Sequence, residues 1–330
     1  MKKFLALILA LVMALSLVAC GKTDVPADDG SDTSANVSAN LVMGTGGESG
    51  TYYAFGGVVA NYLTNNTGVK TTVVSTGGSK ANIIGIDSGD YDLATVQSDV
   101  STYAYFGTNS FEEDGAMACF SVLGGMYAET VQMVTTNPDI KSVADLKGKN
   151  VCVGDVGSGT YYNTIDVLAA YDMTIDDINP VYQSFGDSTE SLKDGKIDAA
   201  FLCAGAPTTA VVDLSTSCDV YMISIDAEHM AKILADCPWY AELVIPAGTY
   251  GIAEDCTTIT VKCMLIARAD LDEDVAYTIV KTIFDNAGSI EHAKAAELSL
   301  EFATEGIAVP FNAGAARYYA ENGITVDVAE

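Results

Sequence analysis

The sequence predicts an α/β fold made of two similar lobes, and three observations lead to this prediction. Short apolar segments alternate with longer helix-like segments from Leu41 onward, as in strands connected by helices. A second series of the same kind follows from residue 136 and repeats the order of the first. The letters SGTYY occur in each series, at 49–53 and at 158–162, at the start of a helix-like segment. We therefore expect two lobes with mostly parallel strands.

The elements of the first series follow in chain order. Strands are predicted at 41–46, 70–76, 92–97 and 129–137, and helices at 51–66 and 79–89. β-branched residues mark the strand at 70–76, whereas an apolar face marks the helix at 51–66. Short turns that contain glycine separate these elements, which is typical of helices that connect parallel strands.

The second series has the same alternation. Helices are predicted at 140–150, 157–173 and 188–197, and strands at 151–155, 178–184 and 198–205. The segment 243–255 contains Pro246 and Gly248 and is expected to return the chain to the first lobe. Helices at 274–293 and 314–323 complete that lobe. We expect lobe I to comprise residues 41–135 plus 248–330, and lobe II to comprise residues 136–247.

The first forty residues are predicted to be a targeting segment and a tether. Residues 1–20 have a basic start and a short apolar run, which is typical of a secretory signal peptide. The letters LVAC at 17–20 resemble a bacterial lipobox, so we expect Cys20 to be lipidated. An ordinary signal peptide that contains a cysteine is the alternative. Residues 21–40 are predicted to be a flexible acidic tether, and the protein is expected on the outer face of the cell membrane.

The charge of the chain limits the classes of partner. The sequence has 44 acidic against 16 basic residues, a formal net charge of −28, and Arg268 and Arg317 are its only arginines. Nucleic-acid binding needs clustered Lys and Arg that displace counterions, so we expect no nucleic-acid partner. Docking onto anionic lipid is unfavourable for the same reason. We interpret the acidity as solubility outside the cell.

The eight cysteines favour neither a disulfide framework nor a metal site. Without Cys20 their count is odd, and no two stand in a C-x-x-C pair. Several lie in apolar strand-like segments, where cysteine behaves as a small buried apolar residue. A bridge between Cys218 and Cys237 stays open as an alternative. We expect no metal ion.

Three turns combine glycine with a small hydroxyl residue just before a helix. They lie at 47–51, 76–79 and 157–160. The first N–H groups of a helix point outward without partners, and the helix dipole adds partial positive charge there. Ser and Thr at such positions are also common as simple N-caps, which is the alternative. Because the turns recur at matching places in both series, we favour a site for a carboxylate.

The motifs of common enzyme classes are missing. The patterns G-x-x-x-x-G-K-[ST], G-x-G-x-x-G and G-x-S-x-G do not occur at these turns. His229 and His292, the two histidines, stand in polar helix-like segments and are expected on the surface. We therefore expect a protein that is not an enzyme and that needs no cofactor.

Tyrosines and one glutamine extend the predicted site. In each SGTYY segment one tyrosine is expected in the core, namely Tyr53 and Tyr162, and the other over a ligand. Gln97 ends a predicted strand, and the carboxyl ends of parallel strands adjoin ligand crevices. Tyr127 is a further candidate for the wall of the site.

Longer segments resemble one known family. The letters GTGGESGTYYAFGGVVANYL, TGGSKANIIGIDSGDYDLATVQSDV, IKSVADLKGKNVCVGDVGSGT and SLKDGKIDAAFLCAGAPT resemble the TAXI-type solute receptors of TRAP transporters. The resemblance extends in order from about Leu41 to Gly323. It implies a type II periplasmic-binding-protein fold, in which two α/β lobes close on a solute in the cleft between them.

The resemblance also implies a function and a set of site residues. The solute would be a small carboxylate, such as glutamate, glutamine or a dicarboxylate, and the partners would be TRAP permease subunits in the membrane. A surface lipoprotein or antigen with this fold but without a transport role is the alternative. The residues implied to face the solute are Gly47, Ser49, Gly50, Thr51, Tyr52, Thr76, Gly77, Gly78, Ser79, Gln97, Tyr127, Gly157, Ser158, Gly159, Thr160, Ala204, Gly205 and Pro207.

Overall fold

A computed structural model describes residues 37–329 of the chain. Its strands are β1 (Ala39–Gly44), β2 (Val69–Val74), β3 (Leu93–Gln97), β4 (Phe120–Thr135), β5 (Asn150–Cys152), β6 (Asn179–Val181), β7 (Ala199–Ala204), β8 (Tyr221–Met222), β9 (Ala241–Ile245) and β10 (Cys256–Arg268). Its helices are α1 (Thr51–Asn66), α2 (Ser79–Asp87), α3 (Ser98–Phe106), α4 (Thr160–Ala170), α5 (Phe185–Lys193), α6 (Thr209–Ser215), α7 (Ala227–Asp236), α8 (Glu273–Asp285), α9 (Leu300–Thr304) and α10 (Ala313–Glu321). The predicted signal peptide, the lipidation of Cys20 and most of the tether lie outside these residues. Between residues 37 and 329, no helix is long and apolar enough to cross a membrane.

The strands form one mixed sheet in the order β2-β1-β3-β10-β4-β7-β5-β6, with β8 beside β4 and β9 beside β10. The outer strands pair in parallel, β1 with β2 and β3, and β5 with β6 and β7. The central strands β4 and β10 pair antiparallel with each other and with all their other neighbours. The expectation of mostly parallel strands is therefore wrong for the centre of the sheet.

Two long strands belong to both halves of the molecule. β4 and β10 pair from Phe120 opposite Arg268 to Thr130 opposite Thr260. At one end β10 pairs with β3, and at the other end it pairs with β9. We call the side with β1, β2 and β3 lobe I, and the side with β5, β6 and β7 lobe II. The fold thus has two α/β lobes connected by β4 and β10, two strands that pass from one lobe to the other.

Each lobe has its own apolar core. In lobe I the buried face of α1 presents Phe55, Val59 and Leu63, spaced by about one helical turn, to the sheet. Along β4 the core of lobe I includes Tyr127, whereas the core of lobe II begins at Val131. Along β10 the same division falls between Val261 and Cys263. The chain therefore passes from one core to the other within two strands and not through loops.

The cysteines of the described residues are free thiols. Cys218 and Cys237 are not bonded to each other and pack against different parts of lobe II. Cys152, Cys203, Cys256 and Cys263 are buried, as the apolar segments around them predict. These four cysteines pack in the interior as small apolar side chains do.

Two glycines in helices give a matched test of this packing. Gly314 in α10 lies against α8, and an added Cβ would meet the carbonyl oxygen of Glu273 and the amide nitrogen of Tyr277. Gly57 in α1 has open space at the same place. We expect Gly314→Ala to lower the free energy of unfolding by about 1–3 kcal/mol through overpacking. Gly57→Ala is expected to raise it by about 0.5–1 kcal/mol, because alanine restricts the unfolded chain and favours helix.

Chemical denaturation of both variants, monitored by circular dichroism, measures the two changes. Equal effects of the two substitutions would contradict the close packing of α8 against α10.

Candidate functional site

A cavity of about 50 Å³ lies between the lobes, where one water needs about 10–15 Å³ by the same measure. It adjoins the carboxyl ends of β1, β3, β5 and β7, the usual position of ligand sites in α/β folds. Its lining residues are Gly46, Gly47, Gly50, Thr51, Tyr52, Thr76, Gly77, Gly78, Ser79, Gln97, Glu129, Asp155, Ser158, Gly159, Thr160, Ser184, Phe185, Cys203 and Ala204. We call this space the cleft cavity. Both lobes contribute to its wall, so separation of the lobes would open it.

Three helices begin at the cleft cavity without a side-chain cap. Helices α1, α2 and α4 follow Gly50, Gly78 and Gly159, and none of these N-caps provides a side-chain hydrogen bond. Elsewhere, Asp226 and Asp272 cap α7 and α8 with their carboxylates. The N-cap interpretation of the glycine turns therefore does not describe these helices. Their first N–H groups lack intrahelical partners, which suits an anionic group in the cavity.

One of the three helix ends already has a partner from the other lobe. The backbone N–H groups of Lys80 and Ala81 in α2 donate to the carbonyl oxygen of Gly157, at 3.0 and 3.2 Å. The turns approach so closely that a Cβ on Gly77 would lie 2.6 Å from the carbonyl oxygen of Val156. Gly78 has a φ of +104°, which side chains other than glycine rarely adopt. The ends of α1 and α4 are thus the ones left for a bound anion.

Gln97 connects the lobes behind the cavity. Its side-chain nitrogen Nε2 donates to Oδ1 of Asn163 in α4 and to Sγ of Cys203 in β7, both at 2.8 Å. Gly159 packs so closely against Gln97 that an added Cβ would overlap its Oε1. A second contact between lobes joins Oγ1 of Thr51 to the carbonyl oxygen of Gly205 at 3.1 Å. These contacts describe lobes that are closed on each other.

Ser158 provides an unpartnered polar atom at the cavity. Its side chain is 7% exposed, and its Oγ has no hydrogen-bond partner in the described residues. A buried hydroxyl without a partner costs about 1–3 kcal/mol, so such groups are rare unless a ligand or water satisfies them. Ser158 lies in the turn before α4, and the cavity borders it. The hydroxyl therefore adds a donor to the uncapped end of α4.

The structure gathers most of the residues that the sequence singles out. Those that line the cleft cavity are Gly47, Gly50, Thr51, Tyr52, Thr76, Gly77, Gly78, Ser79, Gln97, Ser158, Gly159, Thr160 and Ala204. Those outside the lining are Ser49, Tyr127, Gly157, Gly205 and Pro207. Three of the latter provide carbonyl oxygens that join the lobes: Ser49 accepts from Ala210 N–H, Gly157 from α2, and Gly205 from Thr51. These three carbonyl oxygens thus form contacts between the lobes, and their residues do not line the cavity.

The tyrosines differ from the expectation. Tyr127 is fully buried and packs edge-on against Phe55, with ring centroids 5.4 Å apart, so it lies in the core beneath the cavity. Tyr53 and Tyr162, expected in the core, are only half-buried. Tyr161 packs against the core of lobe II and not over the cavity. Identical letters in the two lobes thus adopt different surroundings, and Tyr52 alone among the four SGTYY tyrosines lines the cavity.

Several lining residues were not predicted. They are Gly46, Glu129, Asp155, Ser184, Phe185 and Cys203. Glu129 stands alone as a charged residue within the apolar segment that forms β4, and this isolation is a signal in the sequence. Ser184 is the N-cap of α5 and accepts from Asp187 N–H. Its capping pattern marks one more junction of a strand with a helix at the cleft.

Neither histidine lies at the cleft cavity. The ring of His229 stacks on Tyr171 at a centroid distance of 3.6 Å, and its Nδ1 lies 2.7 Å from Asp226. His292 accepts the backbone N–H of Lys294 at a helix start, and burial lowers its pKa. Their contacts are local and structural in character.

A network of acidic and polar groups crosses between the lobes near Gln97. Asn163 Nδ2 donates to Asp99 Oδ2 at 3.1 Å and lies 2.9 Å from the hydroxyl of Tyr240, which donates to Asp166 at 2.8 Å. Asp99 in α3 is fully buried, and its Oδ1 has no partner. Burial, together with the nearby charge of Asp166, raises the pKa of Asp99 to about 7. Burial also raises the pKa of Asp166 to about 6.

Comparisons with known proteins agree with this architecture. The model of the NMT1-like family matches residues 43–323. A protein from Bordetella bronchiseptica RB50 is 17% identical, with 88% of this chain and 83% of that chain covered and a TM-score of 0.55. A second structure comes from work on glutathione import via GshT and the cystine ABC importer TcyBC of Streptococcus mutans. It is 12% identical, with 81% of this chain and 95% of that chain covered and a TM-score of 0.50. Together with the passage of β4 and β10 from one lobe to the other, these likenesses confirm the type II periplasmic-binding-protein fold.

The buried carboxyl groups between the lobes predict a dependence of stability on pH. The folded protein keeps the proton of Asp99 up to about pH 7, whereas the unfolded chain loses it near the ordinary value of 3.8. Since the folded state binds more protons in this window, its free energy of unfolding decreases as the pH rises from about 4 to about 7. We expect Asp99→Asn to reduce this decrease and to raise stability at pH 8 by at least about 1 kcal/mol.

Thermal unfolding of the wild type and Asp99→Asn between pH 5 and pH 8 measures this effect. Asp213→Asn, an exposed substitution in α6, is the matched control and should follow the wild type. A wild type whose midpoint rises from pH 5 to pH 8 would contradict the raised pKa of Asp99.

Proposed function

Because the chain belongs to the NMT1-like family and has the type II periplasmic-binding-protein fold, we propose that it is an extracytoplasmic solute receptor. The observation that carries this proposal is the convergence of uncapped helix ends from both lobes on one cavity. Such ends bind anions with backbone N–H groups and need no arginine. The solute class is a small molecule with a carboxylate, as with glutamate, glutamine or a dicarboxylate.

Closure of the lobes is the proposed mechanism. A solute that contacts both α1 in lobe I and α4 in lobe II binds the closed form better than the open form, and so it shifts the equilibrium towards closure. We place the hinge in β4 between Tyr127 and Val131, and in β10 between Val261 and Cys263, where the two cores meet. The lobe boundaries expected from the sequence remain predictions, and the division between the cores favours boundaries within the strands, between residues 127 and 131 in β4 and between residues 261 and 263 in β10.

We further propose a TRAP-type permease as the membrane partner and a lipid anchor at Cys20. The support for the permease is the resemblance of the glycine turns and their flanking segments to TAXI-type receptors. The support for the anchor is the lipobox-like segment at 17–20. Delivery of the solute would then follow docking of the closed receptor onto the permease.

Calorimetry with protein stripped of bound solute by unfolding and refolding tests the receptor function. L-glutamate, L-glutamine and succinate are the first probes, followed by a wider set of carboxylates. A solute present at 100 times its Kd adds about 2.7 kcal/mol to the free energy of unfolding, which is visible as an increase in Tm. Absence of saturable binding across the whole set would contradict the proposal.

Gly159→Ala tests whether closure is required for binding. The added Cβ would push against Oε1 of Gln97 and hold the lobes apart. We expect the Kd of the solute found in the screen to increase about tenfold or more, which corresponds to at least 1.4 kcal/mol of closure energy. Gly288→Ala, with open space at its Cβ, is the control and should bind as the wild type does. Unchanged affinity of Gly159→Ala would contradict closure at this contact.

Cys20→Ala tests the anchor in cells that express the full chain. Wild-type protein should incorporate a labelled fatty acid and sediment with membranes. The variant should do neither and should be recovered outside the membrane fraction. Incorporation of the label into the variant would rule out Cys20 as the attachment site.

A further inference from the structure

The residues that line the cleft cavity include acidic side chains but no basic ones. The lining includes the carboxyl groups of Glu129 and Asp155, but no lysine, arginine or histidine. A solute that has only carboxylates would meet backbone N–H groups and hydroxyls at the helix ends, and it would also meet these carboxyl groups. The cavity therefore offers an acceptor for a cationic group beside its donors for an anionic group.

Glu129 is the acidic residue best placed to act on a solute. It is 1% exposed, lies in β4 and borders the cleft cavity. Its Oε1 accepts a hydrogen bond from the hydroxyl of Tyr52 at 2.6 Å. Of the ion pairs within 4.0 Å in the described residues, none includes Glu129, and the nearby Lys294 pairs with Glu297 instead, at 2.6 Å. A buried ionised carboxylate without a cation is costly, so Glu129 ionises at low cost only when a cation lies beside it.

The surroundings of Glu129 favour its neutral form as long as no cation lies beside it. Burial raises the pKa of Glu129 well above its ordinary value, and the charge of Asp99 on α3 raises it further. The hydroxyl of Tyr52 on α1, the thiol of Cys263 on β10 and the charge of Lys294 act in the opposite direction but are weaker than burial. Tyr127 on β4 and Cys203 on β7 are further titratable neighbours. An ammonium group beside the carboxyl would favour its ionised form.

We propose that Glu129 accepts the ammonium group of the solute, so that the preferred solute is an α-amino acid and not a dicarboxylate. This inference rests on the proposed receptor function of the cleft cavity. The carboxylate of the amino acid binds at the ends of α1 and α4, and its ammonium pairs with Glu129. On binding, the neutral carboxyl of Glu129 releases its proton to the buffer, and the resulting carboxylate forms the ion pair.

Pairs of compounds that differ only in the amino group test this inference. L-glutamate with glutarate and L-alanine with propionate are two such pairs for calorimetry on stripped wild-type protein. Within the pair that binds, we expect the amino acid to bind roughly 10- to 100-fold more tightly, as for a hydrogen bond to a charged group. In buffers of different ionisation enthalpy at pH 7, amino-acid binding should release up to about one proton per solute.

Glu129→Gln separates the two ways in which this residue can act. Glutamine keeps an acceptor for Tyr52 but carries no negative charge, so the preference for the amino acid and the proton release should both disappear. Glutamine also keeps a donor, so it would preserve the binding of a dicarboxylate that received a hydrogen bond from neutral Glu129. Glu242→Gln on β9, exposed and away from the cavity, is the matched control. Circular dichroism and Tm verify that each variant folds.

The outcomes distinguish this inference from the function on which it rests. Equal affinity within each pair, or amino-acid binding without proton release, overturns the role of Glu129 and leaves the receptor function intact. Unchanged discrimination in Glu129→Gln overturns it as well. If no carboxylate binds at all, the receptor function fails and the inference fails with it.

Discussion

The antiparallel pairing of β4 with β10 is the constraint on which the rest of the structure depends. These two strands are continuous through both lobes, and every other strand of the sheet attaches to one of them directly or through one or two intervening strands. The carboxyl ends of the parallel strands in lobe I and lobe II consequently face the same space. That arrangement brings turns from distant parts of the chain together, such as those before α1 and α4. These two strands also form the connection about which one lobe can move relative to the other.

Three of the helices that begin at the cavity lack a side-chain cap, although α5 has one from Ser184. Glycine precedes α1, α2 and α4, whereas carboxylates cap α7 and α8. A side-chain cap typically contributes about 1 kcal/mol, so the chain forgoes that stability at the helix ends that a solute would use. Buried polar groups around the cleft also lack some of their hydrogen-bond or charge partners. Glu129, Asp99 and the hydroxyl of Ser158 are each incompletely paired within the protein. A solute in the cavity would contact Glu129 and Ser158, which line it.

Local patterns in the sequence predict local structure well here, and they fail where distant segments decide. The helix at 51–66 has the bounds expected from its apolar face and its glycine turn, because both signals are local. Local patterns did not show which strands pass between the lobes, because the pairing of β4 with β10 joins segments more than a hundred residues apart. Glu129 was not predicted as a site residue, because a single charge in an apolar strand is equally consistent with a solvent-facing position. The two SGTYY segments diverge because the packing of each helix, and not its letters, determines which tyrosine is buried.

The carbonyl oxygen of Gly157 acts on α2 as a bound anion would. Because it accepts the N–H groups of Lys80 and Ala81 across the cleft, closure without solute retains hydrogen bonds that would otherwise await a ligand. Under the proposed function, a solute enters the cavity only when these two hydrogen bonds break and the lobes separate. Association then has two steps, an opening whose rate is independent of concentration and a capture that depends on it. If the proposed receptor function holds, the observed rate of binding at high solute concentration would level off at the rate of this opening motion.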